Sequence, residues 1–418
     1  MKKAIAAILS MSFILSATSC GSKEFQMSKI ADDTGEFVIN MFVEECKQNT
    51  NHENLLISPL SALCAIEMAE NGAAGDTLSE ISSIVHPNST MSDVNGAVQG
   101  IMEYTHNGDE VKIANSAWIN NKFASDIDNS YTKTLEDFYY AQVKVLDYSD
   151  SKSVDIINKY ISENTDGMID SALNSLDNST AATLINVLAF DAEWQDKYKQ
   201  SQVHDNEKFT NADGKSKRTT MLYEEIEQCL ETKDADGFIK YYKDNKYAFF
   251  ALLPHDEDID SYIENFDYNK YKKFLASTTS DYDEIHTWLP EFSYDYETEL
   301  SKSLKNLGIS TAFDEYTADF SNMTQNRDFY LDKILQKTHI ELDADGTKAA
   351  AVTLDLVANF GAAVEEPKKT KIIELNRPFI YGIIEKDSNY PLFLGVANDL
   401  GEEWGTKETD DNINTILK

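Results

Sequence analysis

Four aspartates in HDEDIDSYIENFD (255–267), namely Asp256, Asp258, Asp260 and Asp267, stand at spacings that resemble a calcium-binding loop. Ser261 replaces the central glycine and Asp267 the bidentate glutamate, so a solvated turn leading into a helix is the better reading. Catalytic chemistry is served no better. No GxSxG, HExxH or CxxC occurs, and no glycine-rich loop could cradle a phosphate. The seven histidines, His52, His86, His106, His204, His255, His286 and His339, lack ligand spacing and read as lone surface or sheet residues. No metal and no cofactor is expected.

What remains is a segment on which other chemistry could act. DADGTKAAAVTLDLVANFGAAVEEP (343–367) begins as a turn and passes through three alanines and β-branched residues with little charge. It ends in Glu365, Glu366 and Pro367, and it fits no ordinary element.

The surrounding elements are easier to read. KIADDTGEFVINMFVEECK (29–47) and LSALCAIEMAEN (60–71) carry apolar residues at helical spacing, and SPLS supplies a serine and a proline at a helix start. TLINVLAF (183–190) has the length and content of a strand. IKYYKDNKYAFFALL (239–253) reads as two strands about a polar turn, HTWLPEFSYDY (286–296) as another strand, and YETELSKSLKNLG (296–308) as a helix ended by a glycine cap. KTKIIEL, FIYGIIE and PLFLGVA add strands near the end, and DADG, at 234 and at 343, marks turns. Helices early and strands late predict an α+β fold built on large sheets, with no repeat and no dividing linker.

The ends and the composition set further bounds. MKKAIAAILSMSFILSATSC has a basic start, an apolar run too short to cross a bilayer comfortably, and small residues before Cys20. Residues 1–19 are therefore expected to be an export signal. Ala17, Thr18 and Ser19 before Cys20 resemble a bacterial lipobox, with Ala17 where leucine is usual, so lipid attachment at Cys20 and free secretion are the two expectations. Residues 20–28 would form a short linker, 29–400 one domain, and 401–418 an acidic tail. Cys46, Cys64 and Cys229 are too few and too odd for a disulfide framework, and Cys46 and Cys64 read as small buried hydrophobes. A formal net charge of -35 repels nucleic acid and anionic lipid, which leaves membrane contact only through the N-terminal lipid.

Several stretches acquire meaning together. NLLISPLSALCAIEMAENGAAGDTLSEI (54–81), LINVLAFDAEWQDKY (184–198), WLPEFSYDYETELSKSLKNLGISTAFDEYTADFSNMT (288–324), HIELDADGTKAAAVT (339–353) and LNRPFIYGIIEKDSNYPLFLGVAND (375–399) resemble serpin signatures, in the family's order, over residues 29 to 400. The resemblance implies a monomeric serpin fold of about nine helices and three β-sheets. A reactive-centre loop, about 344–370 here, is exposed and can enter the main sheet as an extra strand, one of the known forms of stored strain. It also implies inhibition of a serine endopeptidase, chymotrypsin-like or elastase-like. The protease cleaves the loop as substrate, becomes trapped as a covalent acyl-enzyme and is dragged across the inhibitor. This chain is then bait and spring, with no catalytic residue. A non-inhibitory serpin acting as a surface binding lipoprotein is the alternative.

The resemblance carries over residue by residue. Ser58, Ser61 and Asn186 match the polar shutter beneath the opening sheet, and Trp194 the breach where insertion starts. Gly346, Thr347, Lys348, Ala349, Ala350, Ala351, Val352 and Thr353 match the hinge. With a period of two, Thr347, Ala349, Ala351 and Thr353 would face the core after insertion, and their small side chains would fit without overpacking. Ladder bonds worth roughly 0.5 to 1.5 kcal/mol each give a dozen inserted residues a driving force on the order of 10 kcal/mol. Counting forward from Gly346 puts the scissile bond between Phe360 and Gly361; counting back from NRPF moves it to Ala362, Ala363 or Val364. Ala344, Asp345 and Lys348 stand where hinge glutamates are common and Glu291 stands on the usual lysine side, which implies loss of a salt bridge that holds the loop out. Gln336 stands where a shutter histidine is frequent. Asp355 would point inward and slow late insertion.

Overall fold

The computed structural model describes residues 21–403 except 107, 244, 256–257, 326–328, 332–333 and 348–367, with side chains of the first helix from Ile30 onward. The export signal, Cys20, the hinge from Lys348 to Thr353, every candidate for the scissile bond and the tail from 404 lie outside the described residues. Nine α-helices are present among the described residues: α1 (Gly21–Gln48), α2 (Pro59–Glu70), α3 (Gly75–Val85), α4 (Met91–His106), α5 (Asn129–Tyr139), α6 (Lys152–Asn164), α7 (Ile259–Glu264), α8 (Tyr268–Leu275) and α9 (Ser301–Asn306). The first strands are β1 (Leu55–Ile57), β2 (Val111–Asn120), β3 (Gln142–Leu146), β4 (Ala182–Phe190) and β5 (Ala192–Glu193). Next come β6 (Val203–Thr210), β7 (Ser216–Ile226), β8 (Cys229–Glu231), β9 (Ala235–Tyr241), β10 (Tyr247–Pro254), β11 (Thr278–Thr279) and β12 (Glu284–Pro290). The last are β13 (Phe292–Glu299), β14 (Leu335–Leu342), β15 (Gly346–Thr347), β16 (Thr370–Glu374), β17 (Phe379–Glu385) and β18 (Pro391–Ala397).

Local chemistry explains the elements that matter most. Pro59 opens α2, and the Ser58 hydroxyl accepts the Ser61 N–H at 3.2 Å, which caps the helix as SPLS predicts. Every residue of α2 is buried, so it lies in the interior against β4 and β18 rather than on the surface. The apolar runs of β17 and β18 are buried throughout, as strands covered on both faces must be. In β14, Gln336, Thr338, Ile340 and Leu342 are buried while Leu335, Lys337, His339 and Glu341 are more open, the alternation of a half-covered strand. A second, smaller core sets Ile157 and Ile161 of α6 on Trp118, Ile185 and Val187.

Four ladders result. One has the order β1-β18-β17-β10-β9-β8-β11 and another β16-β12-β7-β6; the remaining two are β13-β14-β15-β5 and β3-β2-β4. Only Asp191 separates β4 from β5, so the last two ladders are the halves of one sheet. Among the described residues no ladder pair joins β4 to β14, and this seam is why three expected sheets become four ladders.

Three sequence expectations are corrected. Residues 286–296 form two strands, because the chain leaves the β7 ladder after Pro290 and joins β14 from Phe292 onward. A proline, lacking an N–H, suits the end of such a strand. The helix expected over 296–308 starts only at Ser301: Tyr294, Tyr296 and Thr298 alternate with exposed Asp295, Glu297 and Glu299, and the period of two prevails to the end of β13. The first DADG turns only at Asp234, and Ala235 to Gly237 already belong to β9. The calcium-like stretch behaves as a turn into helices, with Asp258 capping α7 and Asp267 capping α8. No described helix is long and apolar enough to cross a membrane.

Candidate functional site

The seam between β4–β5 and β14 gathers most of the residues singled out in the sequence. At its top, β14 turns at 343–345 and returns as β15, antiparallel to β14 on one side and to β5 on the other. The Asp343 carboxylate accepts the N–H groups of Asp345 at 2.8 Å and Gly346 at 3.0 Å, the local bond that favours a turn at aspartate. A Cβ on Gly346 would stand 2.2 Å from the Ala192 carbonyl oxygen, so only glycine permits the close approach to β5.

Trp194 clasps that turn. Its backbone N–H donates to the Asp345 carbonyl at 2.9 Å and its indole Nε1 to the Asp343 carbonyl at 2.9 Å, while the Tyr198 N–H reaches the Ala344 carbonyl at 3.0 Å. The indole stacks on Tyr242, with centroids 4.6 Å apart and planes 12° from parallel. Thr347 is only 2% exposed, and its hydroxyl lies 2.8 Å from that of Tyr242. The first side chain of the expected core-facing set is therefore already inside the sheet.

The lower seam is polar where α2 meets it. Gln336 of β14 is bonded twice to Ser58, its Nε2 donating to the carbonyl at 2.8 Å and its Oε1 accepting the N–H at 2.9 Å. On the opposite strand the Ser61 hydroxyl donates to the Asn186 carbonyl at 3.4 Å, and Asn186 Nδ2 donates to Asn115 Oδ1. The start of α2 thus grips both sides of the seam. A cavity of about 250 Å³ opens there between Leu184 and Asn186 on one side and Ile334 and Gln336 on the other. Asn186 Oδ1 is buried without a hydrogen-bond partner. Native interiors have few such voids and few unpartnered polar atoms, so the seam is a place where the packing is incomplete.

Charge at the breach differs from the sequence expectation. A salt bridge does hold the hinge turn: Lys197, just beyond Trp194, lies 3.2 Å from Asp345 and 2.6 Å from Glu193. These groups are partly exposed, and such pairs contribute little to stability. Among the described residues no lysine pairs with Glu291. Burial, aided by the charge of Asp343, pushes its carboxyl up to about 7, against the opposing pull of the Ala344 N–H. Between the ordinary glutamate value and about 7 the folded chain holds a proton that the unfolded chain releases, so stability falls as pH rises through that window. Glu291→Gln is expected to flatten the fall of Tm between pH 5 and pH 7.5. Parallel melting profiles of the two proteins would dismiss this charge as a factor.

Ser58, Ser61, Asn186, Trp194, Gly346 and Thr347 are thus assembled along one seam. Tyr242, Lys197 and Asp343 were not foreseen. Tyr242 sits in an ordinary YYK strand end, where nothing local marks it as the floor beneath Trp194 and Thr347. The reading of all histidines as lone surface or sheet residues fails at His86, which is buried against Glu70. His339 and His286 are sheet residues with polar partners, Asp295 at 2.8 Å and Tyr223 at 2.7 Å.

Comparison with known proteins agrees with this geometry. A family model described as Serpin (serine protease inhibitor) matches residues 32–400. The chain is similar to Serpin B6 of Pongo abelii, 25% identical over 88% of this chain and 99% of that protein. It is also similar to glia-derived nexin of Rattus norvegicus, 27% identical over 92% and 98%. Among solved structures, that of tengpin, a thermophilic serpin, in the native state superposes with a TM-score of 0.79 at 31% identity, covering 90% of this chain and 94% of that one.

Proposed function

The chain belongs to the serpin family, and from that premise we propose that it inhibits serine endopeptidases as a suicide substrate. The observation that supports this most is the seam. Gly346 and Thr347 lie between β14 and β5, antiparallel to both, with a cavity and an unpartnered acceptor further along the same line.

In the antiparallel register each residue gained by the loop is one lost by its neighbours. The pair Leu342 and Thr347 therefore leads to Ile340 with Ala349, Thr338 with Ala351 and Gln336 with Thr353. On the other side, Ala192 with Thr347 leads to Phe190 with Ala349 and Asn186 with Thr353. Directly opposed residues share a face, so Thr347, Ala349, Ala351 and Thr353 would join the buried set of β14. Thr353 would arrive at the shutter itself. Asp355 would follow against Ile334 and Leu184, where a carboxylate is costly and slows the last stage.

The covalent step belongs to the protease. Its serine oxygen attacks the carbonyl carbon before the scissile bond, the C–N bond breaks, and the protease's histidine passes the serine proton to the departing amine. An ester then joins the two proteins. Trapping follows if loop insertion outruns water. Phe360–Gly361 is the first candidate bond and suits a chymotrypsin-like pocket; Ala362, Ala363 and Val364 suit elastase-like enzymes. The expected export signal and Cys20 support activity at the cell envelope, with the lipid as membrane contact, or activity outside the cell after free secretion.

The test is to incubate the purified chain with chymotrypsin, neutrophil elastase, trypsin and subtilisin and run denaturing gels. A complex stable in SDS, with a released C-terminal fragment whose mass fixes the bond, is expected with at least one of them. Clean cleavage by all four without any complex would sink the proposal.

A further inference from the structure

A buried cluster lies at the far end of α2 from the seam. Glu67 and Glu70 are three residues apart on α2 and so share a face, and His86 follows the last turn of α3. Their exposures are 0%, 1% and 2%. His86 Nδ1 lies 3.2 Å from the Ser89 carbonyl, which can only accept, so Nδ1 carries the hydrogen and Nε2 faces the carboxylates. Nε2 stands 2.8 and 3.0 Å from the two oxygens of Glu70 and 3.8 Å from Glu67 Oε2.

A neutral Nε2 offers a lone pair, and lone pairs on nitrogen and carboxylate oxygen repel at that separation. A cation must lie between them, either a proton or a metal ion. A proton on Nε2 satisfies Glu70 and leaves Glu67, both of whose oxygens are buried without a hydrogen-bond partner. Asp33 of α1 adds to the deficit, since its Oδ2 is likewise unpartnered and its charge bears on Glu67. A buried site with this surplus of acceptors is costly unless a metal ion or further protons enter it.

We propose that Glu67, Glu70 and His86 form a structural site for a divalent transition metal of the zinc class. One ligand atom from each residue lies within 4.8 Å of the others, so modest inward rotation brings all three to a common ion at about 2.0 to 2.2 Å. One imidazole nitrogen with carboxylate oxygens is a donor set that zinc accepts, and manganese less tightly. The Ser89 carbonyl supplies the outer contact that metal-binding histidines usually make through their other ring nitrogen. The ion would bind α2 to the end of α3, and α2 is the helix whose start grips both sides of the seam.

The experiment strips the full chain with EDTA, unfolds and refolds it with Zn²⁺ or Mn²⁺, and measures metal by mass spectrometry after desalting. One zinc per chain and a Tm several degrees above the metal-free protein are expected. Glu67→Gln, which preserves shape and removes the charge, is expected to fold, retain little zinc and show no zinc-dependent rise in Tm. His86→Gln gives an independent loss of a ligand should the first variant fold poorly. No uptake by the unaltered chain would overturn the site and assign the cation between these groups as a proton. Undiminished uptake in folded Glu67→Gln would overturn it equally, because the metal would then sit elsewhere.

Discussion

Replacing Thr347 by arginine is expected to abolish the SDS-stable complex and leave a chain that its target protease cleaves as a plain substrate. Thr347 is 2% exposed, lies between Leu342 of β14 and Ala192 of β5, and meets Tyr242 through its hydroxyl at 2.8 Å. A guanidinium there must be buried without a partner or hold the strand out of the sheet. Even a barrier raised by about 3 kcal/mol slows insertion more than a hundredfold, which hands the partition to deacylation. Cleavage of the loop does not require insertion, so proteolysis should continue at its usual rate. Thr347→Val separates charge from shape: it keeps the branch, loses one hydrogen bond, and should retain most of the complex. Complex yield on gels at equal protease dose decides between them. Persistent complex with Thr347→Arg would contradict entry of this side chain into the sheet.

The fold was legible where one periodicity ruled. α2 could be read from SPLS and its apolar run, and β4, β17 and β18 from their apolar blocks, because burial on all sides leaves a simple signature. The failures lie where a segment changes partner. Residues 286–296 carry an unbroken strand signal, yet Pro290 and Glu291 divide them between two ladders, and no local feature says which sheet receives each half. The same holds for Tyr296 to Glu299, whose alternation was hidden in a sequence also compatible with a helix.

The site was legible only through the order of several motifs. Ser58 and Ser61 explain themselves as helix starters, and nothing local shows that one bonds to β14 and the other to β4. Long-range charge was less visible still. Glu291 beside Ala344 and Asp345 suggested a hinge without a salt bridge, but Lys197, in the loop after β5, supplies one. His86 lay outside any ligand motif because its partners are on a helix preceding its own, at separations of 16 and 19 residues that only packing brings to contact.

Gln336→Ala should have the second large effect, on the closed sheet rather than on the loop. Gln336 is 3% exposed and satisfies both the N–H and the carbonyl of Ser58. Truncation leaves the buried Ser58 N–H unpartnered, while the Ser58 carbonyl keeps the Ala62 N–H at 3.0 Å, and it enlarges a seam that already contains a cavity, a combined loss of about 2 to 5 kcal/mol. For a domain of this size a Tm lower by roughly 5 °C is expected. The start of α2 itself would keep the Ser61 bond to Asn186 on the β4 side, while β14 would be held nearby through the Thr338 hydroxyl on the Leu56 carbonyl at 2.7 Å. The β14 side would open more readily, so the variant should convert faster on warming to a loop-inserted or self-associated form, seen on native gels. Gln336→His, which supplies the residue frequent in relatives, offers a ring nitrogen that can accept the Ser58 N–H and should lose less. A surface contact would show neither trend, so equal Tm and equal conversion rates in Gln336→Ala would remove the shutter from this account while leaving the breach intact.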